Sequence, residues 1–298
     1  MPFMTTPDGV RLFWDEAGSG TPVVFVHEFG DDLRSWEPQV RYFSRAHRCI
    51  VFNARGYPPS DVPADLDAYS QRTAAADIIA VLDAAGIERA HLVGCSMGGF
   101  AVLHAGLRHP QRANSIVAVG AGYGAEKRTE AYFRDVSLTV AMNFETLGAA
   151  AFAPIYGSGA SRVQFQIKDP TGWRAFVERL AEHDALGSAN TMRGVQARRP
   201  SLYDLENEFL RLSIPTLVVV GDEDDHCLQP ALFLKRTIPA SGLLIVPKTG
   251  HAVNQEEPEF FNRALAEFLA LVEAGRWLPR DPRANPAEVM RTADTPHA

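Results

Sequence analysis

The residues Gly94-Cys95-Ser96-Met97-Gly98 set a serine between two glycines at the spacing G-x-S-x-G. A serine hydroxyl is a weak nucleophile until a neighbouring base takes its proton and a sharp turn lifts it clear of the backbone. The motif directly follows the apolar run His91-Leu92-Val93 and opens a helix-like stretch that reaches Arg108 and is closed by Pro110. Small residues on either side suit a tight strand-to-helix turn, where larger side chains would clash. The turn would project Ser96 outward and leave the Met97 N–H at a helix start, placed to hold a developing oxyanion. A glycine-rich turn without chemistry has the same spacing, so the serine reading needs a base and an orienting acid elsewhere in the chain.

Nine histidines are available as the base. His251 follows the apolar run Leu243–Val246 across the short loop Pro247-Lys248-Thr249-Gly250, ahead of the last helix-like stretch. That is the carboxyl end of a strand, where open α/β sheets bind their ligands. His104, His109 and His183 lie on helix-like stretches and His226 lies among acids, so they read as packing or surface residues. The acid should come from the loop after Thr216–Val220, Gly221-Asp222-Glu223-Asp224-Asp225-His226, where four consecutive acids compete for the role. A calcium loop is the other reading of such a cluster, but calcium ligands are normally spread along a longer loop with glycine at the bend. No metal and no organic cofactor is expected.

These residues need a frame that brings distant loops together. Short apolar runs at Val10–Trp14, Val23–His27, Ile50–Phe52, His91–Val93 and Ile116–Val119 read as strands. Asp8-Gly9 reads as a hairpin turn before the second extended run. Ala74–Ala85 carries apolar residues at helical spacing, with Thr73 as its N-cap and Gly86 at its stop. Alternation of strands and helices implies a mostly parallel sheet covered on both faces. The pattern breaks from about Tyr123 to Leu212, where no strand-like run occurs, and resumes with Thr216–Val220, a helix near Ala231–Thr237, Leu243–Val246 and a helix at Glu259–Ala274. The expected division is a core of residues 1–122 and 213–274, a helical insertion over 123–212, and a poorly packed tail over 275–298, which carries four prolines.

Composition excludes several function classes. Of 298 residues, 46% are hydrophobic and 22% charged, enough for a sizeable core and too ordered a mixture for a disordered chain. A net charge of −7 offers no general attraction for nucleic acid or an anionic membrane. No apolar run is long enough to span a bilayer, and the first sixteen residues lack the apolar stretch of a signal peptide. Three cysteines without C-x-x-C spacing fit a reduced, cytoplasmic protein with neither a disulfide framework nor a zinc site.

Taken together, Val23-Val24-Phe25-Val26-His27, Asn53-Ala54-Arg55-Gly56, the serine motif with Gly99, Gly221-Asp222-Glu223-Asp224 and Gly250-His251 resemble the α/β-hydrolase fold family. The likeness covers about residues 5–273 and is to its lid-bearing serine esterase, lactonase and C–C hydrolase group. The resemblance implies a triad in the order Ser96, Asp224, His251, with Asp222 as runner-up for the acid. It implies a second oxyanion donor in the Phe29 N–H beside Met97, with His27, Glu28 and Arg55 supporting the site. Two positions depart from the family: Glu28 stands where glycine is usual, and Asn53 where aspartate is usual. A carboxylate beside an oxyanion hole would oppose the charge that forms there, so Glu28 is expected to point away, to be neutralised or to be protonated; a pair with Arg55 and a solvated side chain without a partner are the two readings of its surroundings.

The insertion would then be a lid over the triad. Its aromatics, Phe133, Phe144, Phe152, Tyr156, Phe165, Trp173 and Phe176, are expected to build a small core of its own more than a pocket lining. From Tyr123 to Pro200 there are ten basic and eight acidic residues, a balance that does not call for an anionic substrate. The reading is a serine hydrolase that cleaves a small carboxylic ester or lactone through an acyl-enzyme, with no nucleic-acid or membrane partner. Hydrolysis of a C–C bond in a vinylogous diketone and a non-catalytic small-molecule receptor are the alternatives. Haloalkane dehalogenases and epoxide hydrolases place aspartate at the nucleophile position, which Ser96 excludes, whereas cofactor-free haloperoxidases share a serine triad.

Overall fold

Alternation with a period of two decides which way each strand faces, and here both faces of the sheet are apolar. The computed structural model describes residues 2–284. Within them run eight strands: β1 (Phe3–Thr5), β2 (Arg11–Ala17), β3 (Thr21–Val26), β4 (His47–Phe52), β5 (Ala90–Cys95), β6 (Ala113–Val119), β7 (Thr216–Gly221) and β8 (Ser241–Val246). They form one sheet in the order β1-β2-β4-β3-β5-β6-β7-β8. β2 pairs antiparallel with both β1 and β4, and every other pairing is parallel. β1 enters the sequence reading only as an extended run before the Asp8-Gly9 turn, without bounds, because Phe3-Met4-Thr5 buries a single residue and forms no apolar run. The turn at Asp8-Gly9 does join two antiparallel strands, with Gly9 at φ +90°.

Helices α1 (Glu37–Phe43), α2 (Gln71–Ala84) and α3 (Met97–Arg108) belong to the first half of the sheet. Between β6 and β7 lie α4 (Glu130–Leu147), α5 (Ala149–Gly157), α6 (Val163–Lys168), α7 (Pro170–Ala181), α8 (Ala185–Asn190) and α9 (Glu206–Phe209), with a π-helical turn over Thr191–Gln196. After β7 come α10 (Asp225–Thr237), α11 (Val253–Glu256) and α12 (Pro258–Glu273). The cap of α2 differs from expectation: Ser70 accepts the Thr73 N–H at 3.0 Å, so the helix begins one turn earlier than its apolar face suggests.

One face of the sheet buries Val24, Leu92, Ile116 and Val218 against α2, α3 and α10. The other buries Val23, Phe25, Val93 and Val117 against Trp36 and α12. Each such side chain contributes roughly 1.5–3 kcal/mol of burial, which makes the parallel strands stiff supports for the loops at their ends. A third core lies in the insertion, where Phe144, Phe152, Phe165 and Phe176 pack with Phe29, Tyr57 and Met97 from the sheet's loops. Beyond α12, Trp277 packs edge-on to Phe268 and donates to the Ala240 carbonyl at 2.9 Å, while its neighbours in the described chain are exposed. The rest of the expected tail, residues 285–298, lies outside the described residues. No helix among the described residues is long and apolar enough to cross a membrane.

His104 on α3 and His183 after α7 are among the histidines buried in this packing, and burial pushes them down to about 4 and about 3. The unfolded chain therefore binds protons between pH 6.5 and those values that the folded chain does not, so stability falls as the pH drops through that window. Replacing His104 with Gln is expected to remove its share. Relative to wild type, the variant should gain up to about 3 kcal/mol as the pH falls from about 6.5 to about 4, read from urea unfolding at each pH.

Candidate active site

The turn after β5 is strained where the chemistry would need it. Ser96 has φ 52° and ψ −111°, a conformation that only a closely supported non-glycine residue holds. Its N–H donates to the Val119 carbonyl at 2.7 Å, and its carbonyl accepts the Phe100 N–H at 3.0 Å, so neighbouring elements hold the turn from both sides. The flanking glycines are required by close approach. A Cβ on Gly94 would sit 2.2 Å from the Gly98 carbonyl oxygen, and one on Gly98 would sit 2.1 Å from that of Val26 on β3.

Two further strands deliver the partners. β8 leads into the loop carrying His251, whose Nδ1 lies 2.7 Å from Asp224 Oδ2. Both side chains are buried. Burial works to raise the Asp224 carboxyl, but the adjoining His251 ring and the hydrogen bond to it hold the group below its ordinary value. An ionised acceptor at Nδ1 fixes the proton there and leaves Nε2 as the free acceptor of the ring. Asp222 does different work, accepting the Thr249 N–H at 3.2 Å and so pinning the loop before His251, and Asp225 is exposed. Among the described residues Asp224, Cys227 and His251 could present ligand atoms to a metal within 4.8 Å of one another. The pairing of Asp224 with His251 occupies that set, and Cys227, whose thiol burial pushes well above its ordinary value, donates to the Gly120 carbonyl.

The loop after β3 carries the other expected donor. His27 is buried and packed edge-on to Tyr57 at 4.6 Å, with Nδ1 at 2.7 Å from the Glu28 carbonyl and Nε2 accepting the Ala54 N–H at 3.0 Å. Burial lowers its affinity for a second proton, so a neutral ring bridges two loops. Tyr57 donates to the Phe29 carbonyl at 3.0 Å, which orients the Phe29 peptide. Asn53, in the aspartate position of the family, accepts the Leu33 N–H and donates to the Pro58 carbonyl.

Glu28 is neutralised, but by Arg162 instead of Arg55. Both side chains are buried, and two guanidinium nitrogens meet the two carboxylate oxygens, Nη1 to Oε1 at 2.9 Å. Burial works to raise the Glu28 carboxyl, and the Arg162 charge holds it below its ordinary value. Arg55 is unavailable because Asp77 on α2, Asp8 and the Ala68 carbonyl already take its donors. The neighbouring Ser161 carbonyl accepts the His251 N–H at 3.1 Å, so one short stretch of the insertion holds both the Glu28 loop and the histidine loop. Ser161 and Arg162 are the site residues the sequence reading lacks; Arg162 lies 134 positions from its partner, and no local pattern announces it.

Ser96, His251 and Phe29 share a cavity of about 410 Å³, completed by side chains of the insertion that include Phe133, Phe152 and Tyr156. The insertion's aromatics thus divide between its own core and this lining. The sequence profile described as the alpha/beta hydrolase fold matches residues 21–258, and the chain belongs to that family. Among curated relatives, 3-oxoadipate enol-lactonase 1 of Acinetobacter baylyi is 26% identical, covering 84% of this chain and 89% of its own. The 2-hydroxy-6-oxo-6-phenylhexa-2,4-dienoate hydrolase of Burkholderia cepacia is 27% identical, covering 87% and 91%. Among solved structures, a thermophilic esterase from Thermogutta terrifontis superposes with a TM-score of 0.81 at 24% identity, covering 91% of this chain and 98% of its own.

The Glu28–Arg162 pair carries a stability consequence. Removing one partner of a buried ion pair leaves an uncompensated charge and typically costs 3–5 kcal/mol. Glu28→Gln is expected to lower the unfolding free energy by about 3 kcal/mol in urea titrations. Glu28→Gln combined with Arg162→Met should recover at least half of that loss.

Proposed function

We propose that this α/β hydrolase is a serine enzyme that cleaves a small carboxylic ester or lactone through an acyl-enzyme. Ser96 Oγ attacks the carbonyl carbon while His251 Nε2 takes its proton. The N–H groups of Met97 and Phe29 hold the oxyanion; the first residue of a helix has no intrahelical acceptor for its N–H, and Phe29 N donates to no other backbone group among the described residues. The protonated ring returns its proton to the leaving alkoxide, and the acyl-enzyme carbonyl is then attacked by water activated at the same nitrogen. Asp224 keeps the Nδ1–H tautomer and stabilises the imidazolium. Residues 123–212 act as the lid that shapes the cavity.

The observation that carries this reading is the 2.7 Å contact of His251 with Asp224, in a chain whose Ser96 sits in a strained turn on the wall of the same cavity. The lactonase and esterase among the similar proteins support the reaction class. Similarity to a dienoate hydrolase favours a second reading, C–C hydrolysis by the same residues. A turnover panel of esters, lactones and vinylogous diketones separates the two, and a chain that turns over none of them, yet binds one, is the receptor.

Ser96→Ala is expected to lower kcat by at least about a thousandfold with little change in melting temperature. Retention of a tenth of wild-type turnover would refute the assignment. Asp224→Asn should cost at least about a hundredfold more activity than Asp222→Asn or Asp225→Asn, because only one carboxylate sets the ring tautomer. Comparable losses at Asp222 would move the acid to that residue.

A further inference from the structure

Glu256 is a buried carboxylate that forms no ion pair among the described residues. The cations whose charge reaches it are committed elsewhere, Arg162 to Glu28 and Lys168 to Glu257 and the Thr249 hydroxyl. Its two oxygens divide between two backbone groups instead. Oε1 accepts the Ala252 N–H at 3.1 Å, and Oε2 accepts the Gly250 N–H at 2.8 Å. Burial raises the carboxyl, and those two N–H groups pull the other way.

The bond to Ala252 is an ordinary cap, since Ala252 precedes α11 and Glu256 ends that short helix. Capping does not explain the second, shorter bond, which passes over His251 to the residue on its far side. Nor does a cap need a buried charge, which is costly to place. The backbone accounting explains both. From Thr249 to Ala252 each N–H has an acceptor: Asp222 for Thr249, Glu256 for Gly250, the Ser161 carbonyl for His251 and Glu256 again for Ala252. The peptide planes on the two sides of the His251 Cα are thereby fixed, one by Ser161 and one by Glu256, and with them the direction of its side chain. Gly250 leaves room for this, because a Cβ there would lie 2.5 Å from the Ser161 carbonyl oxygen and 3.1 Å from Glu256 Oε1. The far end of the side chain is held separately, by Asp224 at Nδ1 and by the Tyr123 ring, edge-on at 5.0 Å. Ser161 belongs to the insertion, so Glu256 is the hold on the His251 backbone that the core supplies itself.

We infer that Glu256 is a positioning residue for His251: its carboxylate straddles the histidine and keeps Nδ1 on Asp224 while Nε2 faces Ser96. The effect on turnover rests on the Ser96 hydrolase reading, whereas the effect on the His251–Asp224 contact does not. Glu256 touches neither substrate nor reacting atoms, and no covalent step is involved.

The test uses the full chain and Glu256→Gln, which keeps the volume and one acceptor oxygen but turns an amide N–H₂ toward the other backbone N–H. With the ester that wild type turns over fastest, kcat is expected to fall about tenfold or more while KM stays within about twofold, and fluorophosphonate labelling of Ser96 should slow in proportion to kcat. The second readout is the His251 Nδ1 proton, seen as a far-downfield proton resonance and assigned by its loss in His251→Gln. In Glu256→Gln it should move upfield or broaden. A side chain that only caps α11 would lower the melting temperature and leave kcat and this resonance as they are. A kcat within about threefold of wild type in the folded variant, or a fall in kcat with the resonance unmoved, therefore overturns the assignment. If Glu256→Gln does not fold, Glu256→Asp, which keeps the charge on a shorter stem, carries the same expectations. Wild type supplies a measurement that needs no variant: amide exchange at Gly250 and Ala252 should be as slow as at His251, and rapid exchange at either overturns the clamp. If wild type turns over no ester, the hydrolase reading fails on its own, and Glu256 is judged by the resonance and the exchange rates alone.

Discussion

The buried ion pair between Glu28 and Arg162 is the constraint on which the site's geometry depends. Sheet loops at the carboxyl ends of β3 and β8 have no covalent reason to keep a fixed separation. Arg162 grips the first through Glu28, and the carbonyl of Ser161 grips the second through the His251 N–H. A second pair, Arg179 on α7 with Asp31, repeats the attachment a few residues along the same loop. Charges buried this deeply tolerate little displacement, because every increment of separation loses attraction without regaining hydration. The insertion is therefore part of the site's scaffolding as well as a wall of its cavity.

How legible all this was in the sequence depends on the range of the interaction that decides it. Strands such as β3 and β7 are largely apolar runs because both faces of a covered parallel sheet are buried, and runs of three to five residues suffice to find them. The Ser96 turn was legible because its requirements are local: glycines two positions away on both sides, a strand before and a helix after. His251 was singled out by its place after a strand. Asp224 was not separable from Asp222 by position alone, and resemblance chose it; in three dimensions the two carboxylates diverge, one to the His251 ring and one to the Thr249 N–H. Glu28 was recognised as anomalous, yet its partner was misread, since sequence shows that Arg55 is nearby and cannot show that Asp77 and Asp8 have already claimed it.

The same limit applies to charge. Ten basic and eight acidic residues between Tyr123 and Pro200 sum to almost nothing, and a sum suggests a neutral chamber. Pairing tells a different story. Arg162 and Arg179 are committed to acids of the β3 loop, and Arg193 to Glu145 on α4, whereas Arg199 faces a ring, a carbonyl and no carboxylate. Electrostatic character within a cavity follows from which charges remain uncancelled, a property of the fold that net composition does not contain.

The cavity's walls come from two sources: the sheet's loops bring Ser96, His251 and Phe29, and the segment between β6 and β7 brings nearly all the rest. That partition bears on how such a chain diversifies. Substitutions at Phe133, Val136 or Ile155 would reshape what fits without disturbing the strained serine turn, so the shape of the cavity is free to drift while that turn and the contact of His251 with Asp224 are inherited intact. Ser161 and Arg162 are exempt from that freedom although they lie in the same segment, because they hold the frame itself. Descendants of this chain with altered substrate preference should therefore differ in most of the insertion and keep this short stretch together with Glu28.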